Sequence, residues 1–228
     1  MKKLTALILS VLLICSAATG IAEAVFTVTS QSAYVYPEKD TGAYFARVEN
    51  TGDTGAYFGD GKLELFKGQN EKLTSVDYIS SNPYGIWLEP GESTYVSEYL
   101  WGSELLRATV SDAKLSVAAG EYGYRYRKLP LEAEIEMPDG QAYENYVNVT
   151  FTNTTDEIIY GGAIVCALLD AGGKVIFVST NSYDTIGVHP GSTITAKLYV
   201  DYDMALYFQT NNIEPARAEA VLYYDGQL

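Results

Sequence analysis

Nucleophilic catalysis of the Ser-His-Asp or Cys-His kind needs a histidine beside the nucleophile, and this chain has a single histidine, His189. It stands in Val188-His189-Pro190-Gly191. A Pro-Gly pair in that order reads as a type II turn, which assigns His189 to the turn rather than to proton transfer. A Cys/His zinc site needs three or four such ligands, and His189 with Cys166, the one cysteine beyond residue 24, cannot supply them. Calcium requires several convergent oxygens. The acidic positions Asp53/Asp60, Asp139 and Asp201/Asp203 contain no Asp-x-Asp-x-Asp-Gly loop. Ala171-Gly172-Gly173-Lys174 lacks the Walker spacing for a phosphate. No catalytic residue, no metal and no cofactor is therefore expected. Paired carboxylates suffice for glycoside hydrolysis, and 29 Asp and Glu provide the inventory. An extracellular carbohydrate-active enzyme is thus the alternative reading, although no one pair stands out.

What must position any functional residue is a unit that occurs twice. Val48-Glu49-Asn50, Leu63-Glu64-Leu65-Phe66 and Leu88-Glu89-Pro90-Gly91 recur as Phe151-Thr152-Asn153, Ala167-Leu168-Leu169-Asp170 and Val188-His189-Pro190-Gly191. The offset is 103 residues at Asn50/Asn153 and 100 at Pro90/Pro190. A second copy with one trimmed loop accounts for the difference. Period-two alternation marks strands with one buried face: Val147-Val149-Phe151, Ile194-Ala196-Leu198-Val200, Val96-Glu98 against Tyr95-Ser97-Tyr99, and Ala218-Ala220-Leu222-Tyr224. Turn signals separate them at Asp60-Gly61, Gly68-Gln69-Asn70, Pro90-Gly91, Asp139-Gly140, Ala171-Gly172-Gly173 and Pro190-Gly191. The predicted fold is all-β, two tandem β-sandwich domains spanning 25–128 and 129–228, with a junction at Leu129-Pro130. Helix is confined to a turn or two at Ser103 to Ala108 and Asp203 to Phe208. No Ser-rich or Gly-rich linker separates the copies, so they should abut.

Compartment and charge narrow the partners. Met1-Lys2-Lys3, the apolar Leu4 to Ile14 and the small-x-small Ala22-Glu23-Ala24 form a secretory signal peptide, residues 1–24, with cleavage expected before Val25. The apolar run is short of the roughly 20 residues a membrane span needs, so no membrane insertion is expected after cleavage. Ile14 before Cys15 is bulky where lipid attachment favours a small residue, so a lipoprotein is not expected. The chain carries 15 Lys and Arg against 29 Asp and Glu, a net charge of −14. Such a surface repels nucleic acid and anionic lipid. Cys166, in the apolar run Ala163 to Leu169, reads as a buried small hydrophobe in a strand covered on both faces.

The pattern of an apolar strand ending in Asn, a strand ending x-x-Leu-aromatic-Asp before a Gly turn, and a later Pro-Gly-Glu/Ser-Thr entry resembles the FxLYD-type domain. Asn153, Cys166 to Asp170, Gly173-Lys174-Val175-Ile176 and Pro190-Gly191-Ser192-Thr193 carry it in the second copy. Asn50, Leu63 to Lys67 and Pro90 to Thr94 carry it in the first. Leu63 or Cys166 stands for the name-giving Phe, and Phe66-Lys67 or Leu169-Asp170 for the Tyr-Asp. The resemblance implies an immunoglobulin-like sandwich of secreted bacterial proteins, with no shared catalytic residues.

Aromatic residues are the remaining candidates for chemistry. Tyr122, Tyr124 and Tyr126 alternate with Arg125 and Arg127 and read as an inward row on one strand. Tyr84, Trp87 and Trp101 sit at turns and ends, and Trp87 and Trp101 align with Gly187 and Asp201 in the second copy. Residues absent from one copy are not demanded by the shared fold. They are the candidate binding residues, since broad rings that cost little to order suit sugar or protein contacts; otherwise they fill the seam between the copies. The expected function is a secreted, non-catalytic binding or accessory module of the bacterial cell envelope, with a protein or carbohydrate of the envelope as its partner.

Overall fold

In the computed structural model the described residues are 23–225 apart from 37, 69–70, 138–144 and 183–186. Residues 1–22 of the expected signal peptide 1–24, Gln69-Asn70 of one expected turn, the expected turn at Asp139-Gly140, and Cys15 lie outside them. The chain is all-β, built from antiparallel sheets. Its first half runs β1 (Phe26–Val35), β2 (Thr41–Asn50), β3 (Ala56–Lys67), β4 (Glu71–Ile79), β5 (Trp87–Leu88), β6 (Ser93–Trp101), a 3-10 turn at Ser103–Leu105 and β7 (Asp112–Gly120). One sheet is ordered β1-β2-β6; the other places β3 between β4 and β7, with β5 on its first residues.

The second half repeats that order. It runs β8 (Tyr126–Glu136), β9 (Tyr146–Thr152), β10 (Ile159–Tyr160), β11 (Ala163–Leu169), β12 (Val175–Ser182), β13 (Gly187–Val188), β14 (Thr193–Tyr199), α1 (Tyr202–Asn211) and β15 (Arg217–Asp225). Here β10 and β11 together stand for β3, interrupted at Gly161-Gly162. The path is β12-β11-β15-β8-β9-β14, because β8 serves two neighbours. Its residues 126–131 face β15 and its residues 132–136 face β9. The expected junction, Leu129-Pro130, therefore lies inside β8, close to where the strand changes partner and a missing ladder donor is tolerated. The chain crosses between halves at residues 121–125.

The repeat is anchored by two buried asparagines with matching bonds. Asn50 Nδ2 donates to the carbonyls of Thr54 and Leu88, and Asn153 Nδ2 to those of Glu157 and Val188. Asn50 Oδ1 accepts from the Gly52 N–H and Asn153 Oδ1 from the Thr155 N–H. The Gly91 and Gly191 N–H groups close each Pro-Gly turn onto the same asparagine's carbonyl. Both glycines have positive φ, 80° and 76°, as a type II turn requires. Each asparagine thereby ties a strand end, a turn and the short fifth strand together.

Burial follows the predicted alternation in β9 and β14 but not in β6, where Thr94, Tyr95 and Val96 are buried in succession between the sheets and the seam. Val147, Val149 and Phe151 are buried while Thr152 is exposed, and Ala196, Leu198 and Val200 line the core. All seven residues of β11 are buried, which is why that run is continuously apolar; Cys166 is 1 % exposed. The helix α1 is longer than the predicted turn or two. Asp201 caps it by accepting from the N–H groups of Asp203 and Met204, and Met204, Ala205 and Phe208 pack inward.

The halves abut along a packed seam. Phe45 meets Phe177 at 5.2 Å between ring centroids, and Tyr34 meets Tyr207 at 5.1 Å and Phe208 at 6.3 Å. Val175, on the terminal strand β12, has both backbone groups taken by β1 side chains. Its N–H donates to Ser30 Oγ at 2.8 Å and its carbonyl accepts from Ser32 Oγ at 2.6 Å. Tyr95 OH donates to Glu219, and Lys39 pairs with Asp203. Neither tryptophan takes part in these contacts.

Candidate functional site, a tyrosine-lined groove

Sequence reasoning singled out Tyr84, Trp87 and Trp101, and the structure separates them. Trp101 ends β6, 71 % exposed, with Tyr99 as its aromatic neighbour. Asn82 bridges to Tyr95. Trp101 stands six residues further along β6, about 20 Å away at strand rise. Trp87 is half-buried within the first half: Tyr57 meets it edge-on at 4.9 Å, the Arg125 guanidinium lies 3.8 Å over its ring, and its Nε1–H donates to Glu89. Its faces are occupied by its own neighbours. Tyr84 alone opens onto a cavity.

That cavity is a groove of about 520 Å3 where the halves meet, lined by Asn82, Tyr84, Tyr126, Tyr160, Ser182 and Asp225 among others. Its size is that of a small-molecule site, for which roughly 300–1,000 Å3 is usual. The first wall depends on a close backbone approach. Tyr124 N–H donates to the Gly85 carbonyl and Trp87 N–H to the Tyr124 carbonyl. A Cβ on Gly123 would stand 1.9 Å from the Gly85 oxygen, so only glycine permits this contact. The zipper sets Tyr84 beside Tyr122 and Tyr124. The expected inward row is thereby corrected: Tyr122 and Tyr124 are exposed, because β8 begins only at Tyr126 and the residues before it run along Gly85-Ile86.

The second wall is Tyr160, and the repeat explains its exposure. Tyr57 and Tyr160 are equivalent, as are Trp87 and Gly187; both pairs face each other across the short fifth strand of their half. In the first half Trp87 covers Tyr57. In the second, Gly187 brings no side chain and the Tyr160 ring lies against it, 2.8 Å from where a Cβ would stand, with Tyr160 67 % exposed. Gly161-Gly162 then turns the chain with φ of 65° and 142°, where a Cβ on Gly162 would meet the Tyr223 carbonyl at 2.8 Å. The asymmetry between the copies was legible in the sequence, but it marks the copy without the tryptophan.

Electrostatically the groove is one-sided. The Tyr126 phenol is held above its ordinary value by burial first and by the Asp225 carboxylate next. The exposed Tyr84 phenol is also shifted upward, chiefly by Tyr122, with slight burial and Asp60 adding to it. Asp225 is the only carboxylate among the described lining residues, and none of them is Lys or Arg. A glycosidase needs two carboxyl groups about 5–10 Å apart facing one cleft. Arg127 pairs with Glu157, which lines a second hollow of about 450 Å3 that shares Tyr160 and Asp225 with the first.

The other sites weighed from sequence lie elsewhere. His189 is exposed in its turn, where its carbonyl accepts from the Ser192 N–H. Burial pushes the Cys166 thiol up to about 12, far from the thiolate that nucleophilic chemistry needs. Among the described residues no three His, Cys, Asp or Glu converge as a metal site, and no helix is long and apolar enough to cross a membrane.

No protein-family model matches the chain, and no curated protein matches it. Among solved structures it is similar to red sea bream transglutaminase at 14 % identity and a TM-score of 0.24, over 75 % of this chain and 26 % of that one. It is also similar to the C-terminal globular domain of an oligosaccharyltransferase from Pyrococcus abyssi at 11 % identity and a TM-score of 0.22, over 88 % of this chain and 47 % of that one. The chain thus spans about a quarter and a half of these two structures, and likenesses this slight carry no argument about activity.

Proposed function

We propose that this protein is a secreted, non-catalytic binding or accessory module of a bacterial cell envelope, made of two tandem immunoglobulin-like sandwiches of the FxLYD type. The observation that carries the binding role is the groove. Tyrosine rings from both halves converge on a space of small-molecule size, held by glycine contacts that exclude a side chain at Gly123 and Gly162. Rings left bare on a rigid frame suit recognition, because little conformational freedom is lost on binding. The matching asparagine networks support the tandem reading, and the basic and apolar start of the chain supports export.

The test is capture from native envelope material by the immobilised protein, compared with its Tyr160→Ala and Tyr84→Ala variants. Both rings are more than half exposed, so each variant should melt within about 2 °C of the parent while capture is lost. Undiminished capture by both variants would remove the groove from the function.

A further inference from the structure

We propose that the groove's ligand is a small organic cation of the trimethylammonium class, free in solution. The inference rests on the binding role argued above and adds the chemical class of what is bound. Three tyrosines line the space, Tyr84, Tyr126 and Tyr160, and an aromatic face is electron-rich and attracts a cation, most strongly one that sheds its water easily. The one charged lining residue, Asp225, is acidic, and Asn82, Thr180 and Ser182 are neutral. A Lys or Arg among the lining residues would repel a cation, and the described lining has none. The whole chain carries −14, so its long-range field draws cations in and turns phosphates and carboxylates away. A space of about 520 Å3 is sized for one small solute rather than a polymer.

The repeat adds an internal comparison. In the first half the ring of Trp87, flanked by Tyr57, already has a cation over it, the Arg125 guanidinium at 3.8 Å. At the equivalent place in the second half Gly187 replaces the tryptophan, and among the described residues no cation lies over Tyr160, which faces the groove. An outside cation would occupy at Tyr160 the kind of position that Arg125 fills over Trp87.

The experiment is a titration of the full protein with choline chloride, followed by tyrosine fluorescence and aromatic chemical shifts. In parallel runs a titration with the uncharged isostere, in which a tert-butyl carbon replaces the ammonium nitrogen. Choline should saturate, and the isostere should bind about tenfold more weakly or worse. Tyr160→Ala and Asp225→Asn should each weaken choline binding, and Gly187→Trp should abolish it by driving the Tyr160 ring, 2.8 Å from the added Cβ, out of its place. Equal binding of the two probes would overturn the cation assignment and leave the groove a binding site. Binding of neither probe would also overturn it, and the envelope capture experiment decides separately whether the groove binds anything. Co-sedimentation with phosphatidylcholine vesicles would move the source of the cation to a membrane and overturn the free-solute assignment.

Discussion

Replacing Asn50 and Asn153 by Ala, one at a time, tests the claim that the chain is one unit written twice. Each side chain takes part in four hydrogen bonds. For Asn153 these run to the Glu157 and Val188 carbonyls and from the Thr155 N–H and hydroxyl. For Asn50 they run to the Thr54 and Leu88 carbonyls and from the Gly52 and Val25 N–H groups. Both residues are fully buried, so truncation leaves carbonyls at Leu88 and Val188 short of a donor. A net bond contributes about 0.5–1.5 kcal/mol and a buried orphan costs about 1–3, which puts each substitution at about 3–5 kcal/mol. In a chain of this length that lowers Tm by about 6–20 °C. Urea and thermal melts followed by circular dichroism measure it. The two variants should lose stability by amounts within about 1 kcal/mol of each other, since the two side chains make matching bonds. One costly and one neutral variant would refute the equivalence, whatever the sequence offset.

Four further outcomes are expected. Trp101→Ala should change stability by under about 0.5 kcal/mol, while Trp87→Ala, which strips Tyr57 and Arg125 of their partner, should cost about 1.5–3 kcal/mol; paired melts compare them. Gly123→Ala should weaken groove binding more than any single surface change near it, because its Cβ would stand 1.9 Å from the Gly85 oxygen; titration of the groove measures it. Cys166, pushed up to about 12 by burial, should resist thiol reagents in the native protein and react at once in denaturant, and fast native labelling would show β11 exposed. The buried phenols of Tyr34 and Tyr223 are raised to about 12, and those of Tyr36, Tyr44 and Tyr95 are raised as well, all by burial first. Their folded forms hold the proton, so this stability is intact below the unfolded value near 10 and is lost as pH rises towards 12. Tyrosinate absorbance should therefore appear in two stages, exposed rings first and buried rings only with unfolding.

Local rules carried most of the fold. The Pro-Gly turns, the Asp170 turn and the alternating strands are fixed by neighbours close in the chain, and their residues behave as their types require. Asp170 Oδ1 accepts from the Gly172 and Lys174 N–H groups while Gly173 takes φ of 81°. The groove was not legible in the same way. Tyr84 and Tyr160 meet there only because two distant segments pack, and no periodicity records which strand end faces which. Tyr122 to Tyr126 alternate like a strand, yet the first of them pair with Gly85-Ile86 instead, where the glycines let two backbones touch. Alignment of the repeats did hold the clue, in Gly187 opposite Tyr160, but its meaning depended on knowing what Trp87 covers in the other half.

The serines that hold Val175 also bear on how safely the chain behaves when it is incomplete. β12 is the terminal strand of its sheet, and an uncovered sheet edge is a template for pairing with other molecules. Ser30 and Ser32, two residues apart and so on one face of β1, occupy the donor and the acceptor of one residue on that edge. A truncated chain beginning at Tyr126 would expose this edge together with Phe177 and Phe208, whose rings Phe45 and Tyr34 otherwise meet. The first half thus acts as a permanent guard against self-association of the second, and separation of the two by proteolysis would be felt first as aggregation.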